Sequence, residues 1–254
     1  MTTTDPLARG PEPLRETLAR LRHGQKSNVN AAAYSRWVNR PTGRLLAAVA
    51  YRWRMTPHQV TAVSAVCTFV GIGCLAVLPP GVLAGVVVAL LLALGYALDS
   101  ADGQLARLRG GGRPSGEWLD HVVDATKIAV LHLAVLSLWF RHLVEPGHLP
   151  LWSVLVPLAF SVAASVAFFG MVLTDLLQRR YGTKADPGRQ GEQHAPVLGS
   201  LVALPGDYGL LCIAFLLLAW WPAFVVVYGL LALAAVVMLA VQAVRWYRRM
   251  EAIG

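Results

Sequence analysis

From Gln59 to Leu98 the chain carries no charged residue. A run of that length must be buried on all sides. In lipid its regular solution is a helix, which satisfies its own backbone hydrogen bonds. About 20 apolar residues cross the hydrocarbon of a bilayer, so the run holds two spans, divided at Pro79-Pro80-Gly81 where a tight turn is needed. Mean hydropathy of +0.54 and a hydrophobic content of 56% extend that reading to the rest of the 254 residues. The fold class expected is all-α: a polytopic membrane protein with six transmembrane helices and an N-terminal interfacial amphipathic helix. Helix three is expected from about Gly116 to Phe140, helix four over Leu151–Leu177, and helices five and six over Tyr208–Val244, broken at Trp220-Trp221-Pro222.

The first 55 residues differ in kind. Residues 1–30, rich in Pro, Gly and polar groups, read as a flexible cytoplasmic arm with room for a short helix near Leu14–Leu21. In 31–55, Val38, Leu45, Leu46, Val49 and Trp53 recur at helical spacing among Arg36, Arg40, Arg44, Arg52 and Arg54. Such a basic amphipathic segment suits a juxtamembrane helix lying in the interface; a partner- or dimer-contact helix is the alternative. Residues 56–254 form the membrane domain. No early apolar run marks a cleavable signal, so the first membrane helix is expected to serve as its own insertion signal.

The net charge of +8 raises the question of nucleic acid, and its distribution answers it. Of 22 Lys and Arg, ten precede His58, three lie between Gly103 and Ser115, four between Gln178 and Gly206, and three follow Gln242. With six spans all of these fall on one side, leaving only Lys127 and Arg141. That is the positive-inside pattern. It predicts a multi-pass protein of the cell membrane with both termini cytoplasmic, and it assigns the charge to topology, anionic lipid and anionic substrate. Cys67, Cys74 and Cys212 lie inside apolar runs and form no metal motif.

Four carboxylates interrupt this apolar chain at fixed spacing, in DSADGQLARLRGGGRPSGEWLDHVVD. Asp99 and Asp102 are three apart and Asp120 and Asp124 four apart, so each pair shares a helix face. Carboxylates at membrane depth are expensive and mark function. Four at one place repel one another unless a cation joins them. An all-oxygen set without Cys or His favours a hard ion, Mg2+, Mn2+ or Ca2+, over zinc. The plainer alternative is a set of helix caps and solvated ion pairs; it suits one aspartate pair better than two. Gly103, Ala106 and Gly116 leave room beside the aspartates, and Arg107 offers a planar fork for a phosphate or carboxylate. Lys127, seven after Asp120, either neutralises an anion or pairs with an aspartate. His121 points about 100° away from Asp120 and reads as a packed or interfacial histidine. Gly110-Gly111-Gly112 lacks the G-K-[ST] of a phosphate loop and reads as a flexible turn.

The full pattern, D-x2-D-G-x2-A-R-x8-G-x3-D-x3-D, resembles the signature of the CDP-alcohol phosphotransferases. TPHQVT at Thr56 resembles a TPNxxT-like helix start in that family, with His58 where Asn is usual; an interfacial cap is the expectation for His58. The resemblance implies transfer of a phosphoalcohol group from a CDP-alcohol donor to an alcohol acceptor with release of CMP. It implies one or two ions, Mg2+ or Mn2+, held by Asp99, Asp102 and Asp120 with Asp124 close enough to join. It implies a CDP pocket built from Asp99, Gly103, Ala106, Arg107 and Gly116, and Asp124 as general base. A homodimer is a further implication.

The donor implied is CDP-diacylglycerol, and the acceptor a small polar alcohol, phosphorylated or not. Arg179, Arg180, Lys184 and Arg189, with Lys127, are the candidates for an acceptor phosphate; the alternative for the loop residues is topology charge. SRWVNRPTGRLLA, near Tyr34–Leu46, resembles relatives that use CDP-inositol and an inositol phosphate, which keeps a soluble donor open. Two other classes compete. A divalent-cation transporter places its aspartates near mid-membrane, often with broken helices and repeats, whereas these cluster at one face. A non-catalytic scaffold is expected to have lost an aspartate, and none is lost.

Overall fold

The computed structural model describes residues 14–23, 32–181 and 206–253, and among them every regular element is helical. Two helices precede the membrane domain: α1 (Leu14–His23), and α2 (Arg40–Arg52), which follows a wider π-turn at Ser35–Asn39. Then come α3 (Pro57–Val77), α4 (Val82–Leu108), α5 (Pro114–Trp139, continued by a π-turn to Val144) and α6 (Leu155–Tyr181, behind a 3-10 turn at Leu151–Val154). α7 (Tyr208–Ala214) runs on as a 3-10 turn to Ala219, and α8 (Trp221–Glu251) ends the described chain.

The helix starts have local causes. Thr56 caps α3 in a capping box: its hydroxyl accepts from the Gln59 amide at 3.2 Å, and Gln59 Oε1 accepts from the Thr56 amide at 2.8 Å. Pro57 follows at the first helical position, where its missing N–H costs nothing. The cap is therefore Thr56, not His58. Between α4 and α5 the chain turns through Gly110 and Gly111, at φ +96° and +120°, a region glycine adopts without strain. The triple glycine is thus a tight, defined turn, and α5 begins at Pro114, ahead of the expected Gly116.

Among the described residues, five helices are long and apolar enough to cross a membrane: α3, α4, α5 with its extension, α6 with its lead-in, and α8. Tyr208–Ala219 is shorter. At about 1.5 Å per residue it rises less than about 20 Å, against about 30 Å of hydrocarbon. The expected fifth full span is thus not seen among the described residues. α6 and α8 nevertheless run parallel. Phe160 meets Tyr228 with ring centroids 5.2 Å apart, and further along both helices Gly170 lies against Trp246. The chain between them must return to the opposite end, and Tyr208–Ala219 is the described part of that return.

α4 is the axis, touching α1, α2, α3 and α7. Small residues permit the close approaches: Ser64 Oγ donates to the Gly95 carbonyl at 2.8 Å, and Gly85 faces the Phe215 carbonyl. Away from the motif, Leu92, Val135, Trp139, Phe215 and Phe224 anchor the larger core. Its buried polar groups are paired, His132 Nδ1 with the Tyr228 hydroxyl at 2.8 Å and Trp139 Nε1 with Ser153 Oγ at 3.0 Å. Bulky residues such as Leu83, Leu90, Val226 and Leu230 are exposed, as lipid-facing surfaces require.

α2 packs against α4 through its small residues. Asn39, Gly43, Ala47 and Ala50 face inward; a Cβ on Gly43 would lie 2.7 Å from Ser100 Oγ. Trp37, Val38, Leu45 and Trp53 stay exposed. Of the apolar stripe that periodicity picks out, Val38, Leu45 and Trp53 point away from the protein while Leu46 packs against the buried cluster, because two backbones this close admit only small side chains between them.

Candidate active site

α3 and α5 begin, and α4 and α6 end, around one cleft of about 780 Å³. α3 lends it Thr56, His58 and Thr61; α4 lends Asp102, Gly103, Ala106 and Arg107; α5 lends Gly116, Asp120 and His121; α6 lends Asp175 and Arg179. Thr56 and Arg179, 123 positions apart in sequence, thus line one cleft because the 109–113 turn folds the two halves of the aspartate motif together, with α3 and α6 as the remaining walls.

Asp99, Asp120 and Asp124 each bring one carboxylate oxygen within 4.8 Å of the others. The i,i+4 spacing on α5 and its crossing with α4 produce this convergence. Lys127, one turn further along α5, reaches back to it. Its ammonium donates to Asp99 Oδ1 at 2.7 Å and pairs with Asp124 Oδ1 at 2.6 Å. Of the two uses open to Lys127, the structure shows pairing with aspartates. The lysine is buried, and a buried charge is tolerated only with such partners.

Asp102 stands beside this trio and outside it. It is buried, and its Oδ2 accepts a hydrogen bond from Thr61 Oγ1 at 2.5 Å. Arg107 lies near enough for the charge of Asp102 to act on it. Gly116 has the use its smallness suggests: a Cβ there would lie 3.2 Å from His58 Cε1, so the first turn of α5 closes directly over the imidazole. A Cβ on Gly103 would come 3.5 Å from Arg107 Nη1.

The mouth of the cleft is held by ions. Arg179 donates to Glu117 Oε1 at 2.9 Å and pairs with Asp175 Oδ2 at 2.6 Å, tying α5 to α6. His121 lies edge-on to Phe168 and 4.0 Å from Glu117. Arg179 is thus engaged by carboxylates, while Arg180 is exposed, its guanidinium 5.9 Å from the Tyr181 ring. Lys184 and Arg189 lie outside the described residues. Sequence reasoning missed Glu117, the placement of His58 and the pairing of Thr61, the last residue of TPHQVT, with Asp102.

The donor set fits a divalent cation. Three carboxylate oxygens converge with no nitrogen or sulfur ligand among them, and the Lys127 ammonium already stands as a cation between two of them.

The family model for CDP-alcohol phosphatidyltransferases matches residues 54–242. The chain belongs to that family. It is therefore a multi-pass membrane enzyme of phospholipid biosynthesis, a transferase of substituted phosphate groups that takes a CDP-alcohol donor and an alcohol acceptor. The family is generally dependent on a divalent metal. Among solved structures, the chain is similar in fold to a phosphatidylinositol phosphate synthase of Mycobacterium tuberculosis, crystallised with CDP-DAG bound. The TM-score is 0.52 and the identity 22%, over 82% of this chain and 92% of that one. No curated protein sequence matches the chain.

Proposed function

We propose that the chain transfers a phosphatidyl group from CDP-diacylglycerol to the hydroxyl of a small polar alcohol, phosphorylated or not, and releases CMP. The observation that carries this reading is the convergence of Asp99, Asp120 and Asp124 beside a cleft lined by Asp102, Gly103, Ala106, Arg107 and Gly116. The binding of CDP-DAG by the structural neighbour supports the donor.

The acceptor oxygen attacks the phosphorus that bears the diacylglycerol, the bond from that phosphorus to the CMP oxygen breaks, and the acceptor's proton passes to Asp124. Asp99, Asp120 and Asp124 hold Mg2+ or Mn2+, with Asp102 at their side. A bound divalent ion offsets the charge that builds on the leaving CMP. Gly103, Ala106 and Gly116 leave space for the nucleotide, and Arg107 meets its diphosphate. Lys127 steadies Asp99 and Asp124 until the ion takes its place. An acceptor phosphate draws on Arg180, Lys184 and Arg189, and on Arg179 once it exchanges Glu117 and Asp175 for the ligand. The site end also carries Arg52, Arg54, Arg109 and Arg113, so the positive-inside rule makes it, with both termini, cytoplasmic. We take the membrane to be the cell membrane and the enzyme to act as a homodimer, with 1–30 and 31–55 as an arm and juxtamembrane helix before a 56–254 membrane domain.

The test is CMP release by the purified protein with Mg2+ or Mn2+ and CDP-diacylglycerol, against serine, glycerol phosphate, inositol and inositol phosphate. Release with one acceptor supports the reading. Release only with CDP-inositol moves the donor to the soluble class, and silence with both donors rejects phosphoalcohol transfer for this chain.

A further inference from the structure

α7 starts next to the carboxylates and presents a side chain that the motif does not contain. Asp207 fixes that start: Oδ1 accepts from the Gly209 amide at 3.0 Å and Oδ2 from the Ser35 amide at 3.1 Å. The backbone direction of Tyr208 is thereby set from two segments far apart in sequence. Its ring meets Tyr96 edge-on, with centroids 5.2 Å apart, and Tyr96 in turn stacks on Tyr34 at 6.3 Å. Tyr96 is three residues before Asp99 and shares its face of α4. The aromatic wall therefore borders the metal-binding carboxylates.

The hydroxyl at the end of this well-held ring is anomalous. It is sealed from solvent and has no hydrogen-bond partner among the described residues. Buried tyrosine hydroxyls ordinarily find one. The charges of both Asp99 and Asp124 act on it. Those two carboxylates are served by the ammonium of Lys127, at 2.7 Å and 2.6 Å. A divalent ion among the same oxygens repels that ammonium. A carboxylate offers about four acceptor sites, so Asp99 then has an oxygen to spare and has lost its donor.

We infer that Tyr208 is a positioning residue of the metal centre: with the ion bound, its phenol O–H donates to the non-ligating oxygen of Asp99 and holds that carboxylate in its ligating orientation. The inference rests on the proposed metal site. It explains why an orphan hydroxyl is kept at that depth, since its partner becomes available when the ion arrives. Outer partners of this kind typically change metal affinity by about 10- to 100-fold.

The test needs no substrate. Full-length protein in detergent is titrated with Mn2+ alone, free Mn2+ is read by its electron paramagnetic resonance signal, and thermal unfolding is followed in EDTA and in Mn2+. Tyr208→Phe should raise the Mn2+ Kd by about 10-fold or more, leave the Tm in EDTA unchanged or slightly higher, and shrink the Tm gain that Mn2+ produces. Tyr96→Phe removes a hydroxyl from the same aromatic group, one already engaged with Ser35, and should leave the Kd at the wild-type value. A Tyr208→Phe protein with wild-type Kd overturns the inference while the metal site stands. So does a fall in its Tm in EDTA, which assigns the hydroxyl to ion-free packing, or an equal loss in Tyr96→Phe. Wild-type protein that binds no Mn2+ overturns both the inference and the metal reading.

Discussion

Removing the Lys127 ammonium should separate what holds the ion-free site together from what the ion does. In Lys127→Met the side chain keeps its length and loses its charge. Asp99 and Asp124 are then left facing each other with Asp120, their oxygens within 4.8 Å. At an effective dielectric near 20, two unit charges at that distance repel by about 3.5 kcal/mol. Breaking a buried pair by deleting one partner costs about 3–5 kcal/mol, so two independent routes agree. About 1 kcal/mol moves the Tm of a chain this size by about 2–4 °C, which gives a fall on the order of 10 °C in EDTA. Saturating Mn2+ replaces the missing positive charge and should recover most of it, with a Kd no weaker than wild type because no ammonium has to be displaced. Thermal unfolding of detergent-solubilised protein, with and without Mn2+, measures both. An unchanged Tm in EDTA would show that Lys127 does not neutralise the cluster. An equal loss with and without Mn2+ would show that the ion binds elsewhere.

Three other substitutions probe the surroundings. Thr61→Val is nearly isosteric and removes the donor to buried Asp102, so the Tm should fall by the equivalent of about 1–3 kcal/mol; a wild-type Tm would mean that Asp102 finds its partner elsewhere. Gly209→Ala places a methyl 1.9 Å from Tyr34 Cδ1, an overlap that should cost about 1–3 kcal/mol, and unaltered unfolding would show the α7 seat to be loose. Asp124→Asn should lower kcat about 100- to 10,000-fold with a smaller change in the donor KM; CMP release at the wild-type rate would remove Asp124 from the role of base.

The carboxylate cluster was legible because its periodicity is strict: Asp120 and Asp124 must share a face of α5, and an apolar chain gives them few other places to be. The apolar runs likewise announced α3, α4, α5, α6 and α8. The sequence shows that α2 is amphipathic but not which face meets the protein: it buries Gly43 and Ala47 and exposes Leu45, since closeness of backbones, not apolar area, selects its inner face. Tyr208–Ala219 reads as a span by its apolar composition, but Asp207 before it and the break at Trp220 after it hold it to a short helix. The pairings of Glu117 and Thr61 were invisible for another reason. Each matters through a partner far away in the chain, Arg179 and Asp102, and no local pattern encodes such a pairing.

The family match begins at residue 54, yet the packing does not. Ala47, Ala48 and Ala50 of α2 and Leu21 of α1 share one buried cluster with Ala101 and Leu105 of α4, and Gln104 Nε2 donates to the Arg40 carbonyl at 3.2 Å. A polypeptide trimmed to residues 54–242 would bare the flank of the helix that carries Asp99 and Asp102, and would cut α8 short of Glu251. The unit that inheritance defines is thus smaller than the unit that folds. Expressed fragments, chimaeras and domain swaps based on the family boundaries should be extended to include α1, α2 and the whole of α8.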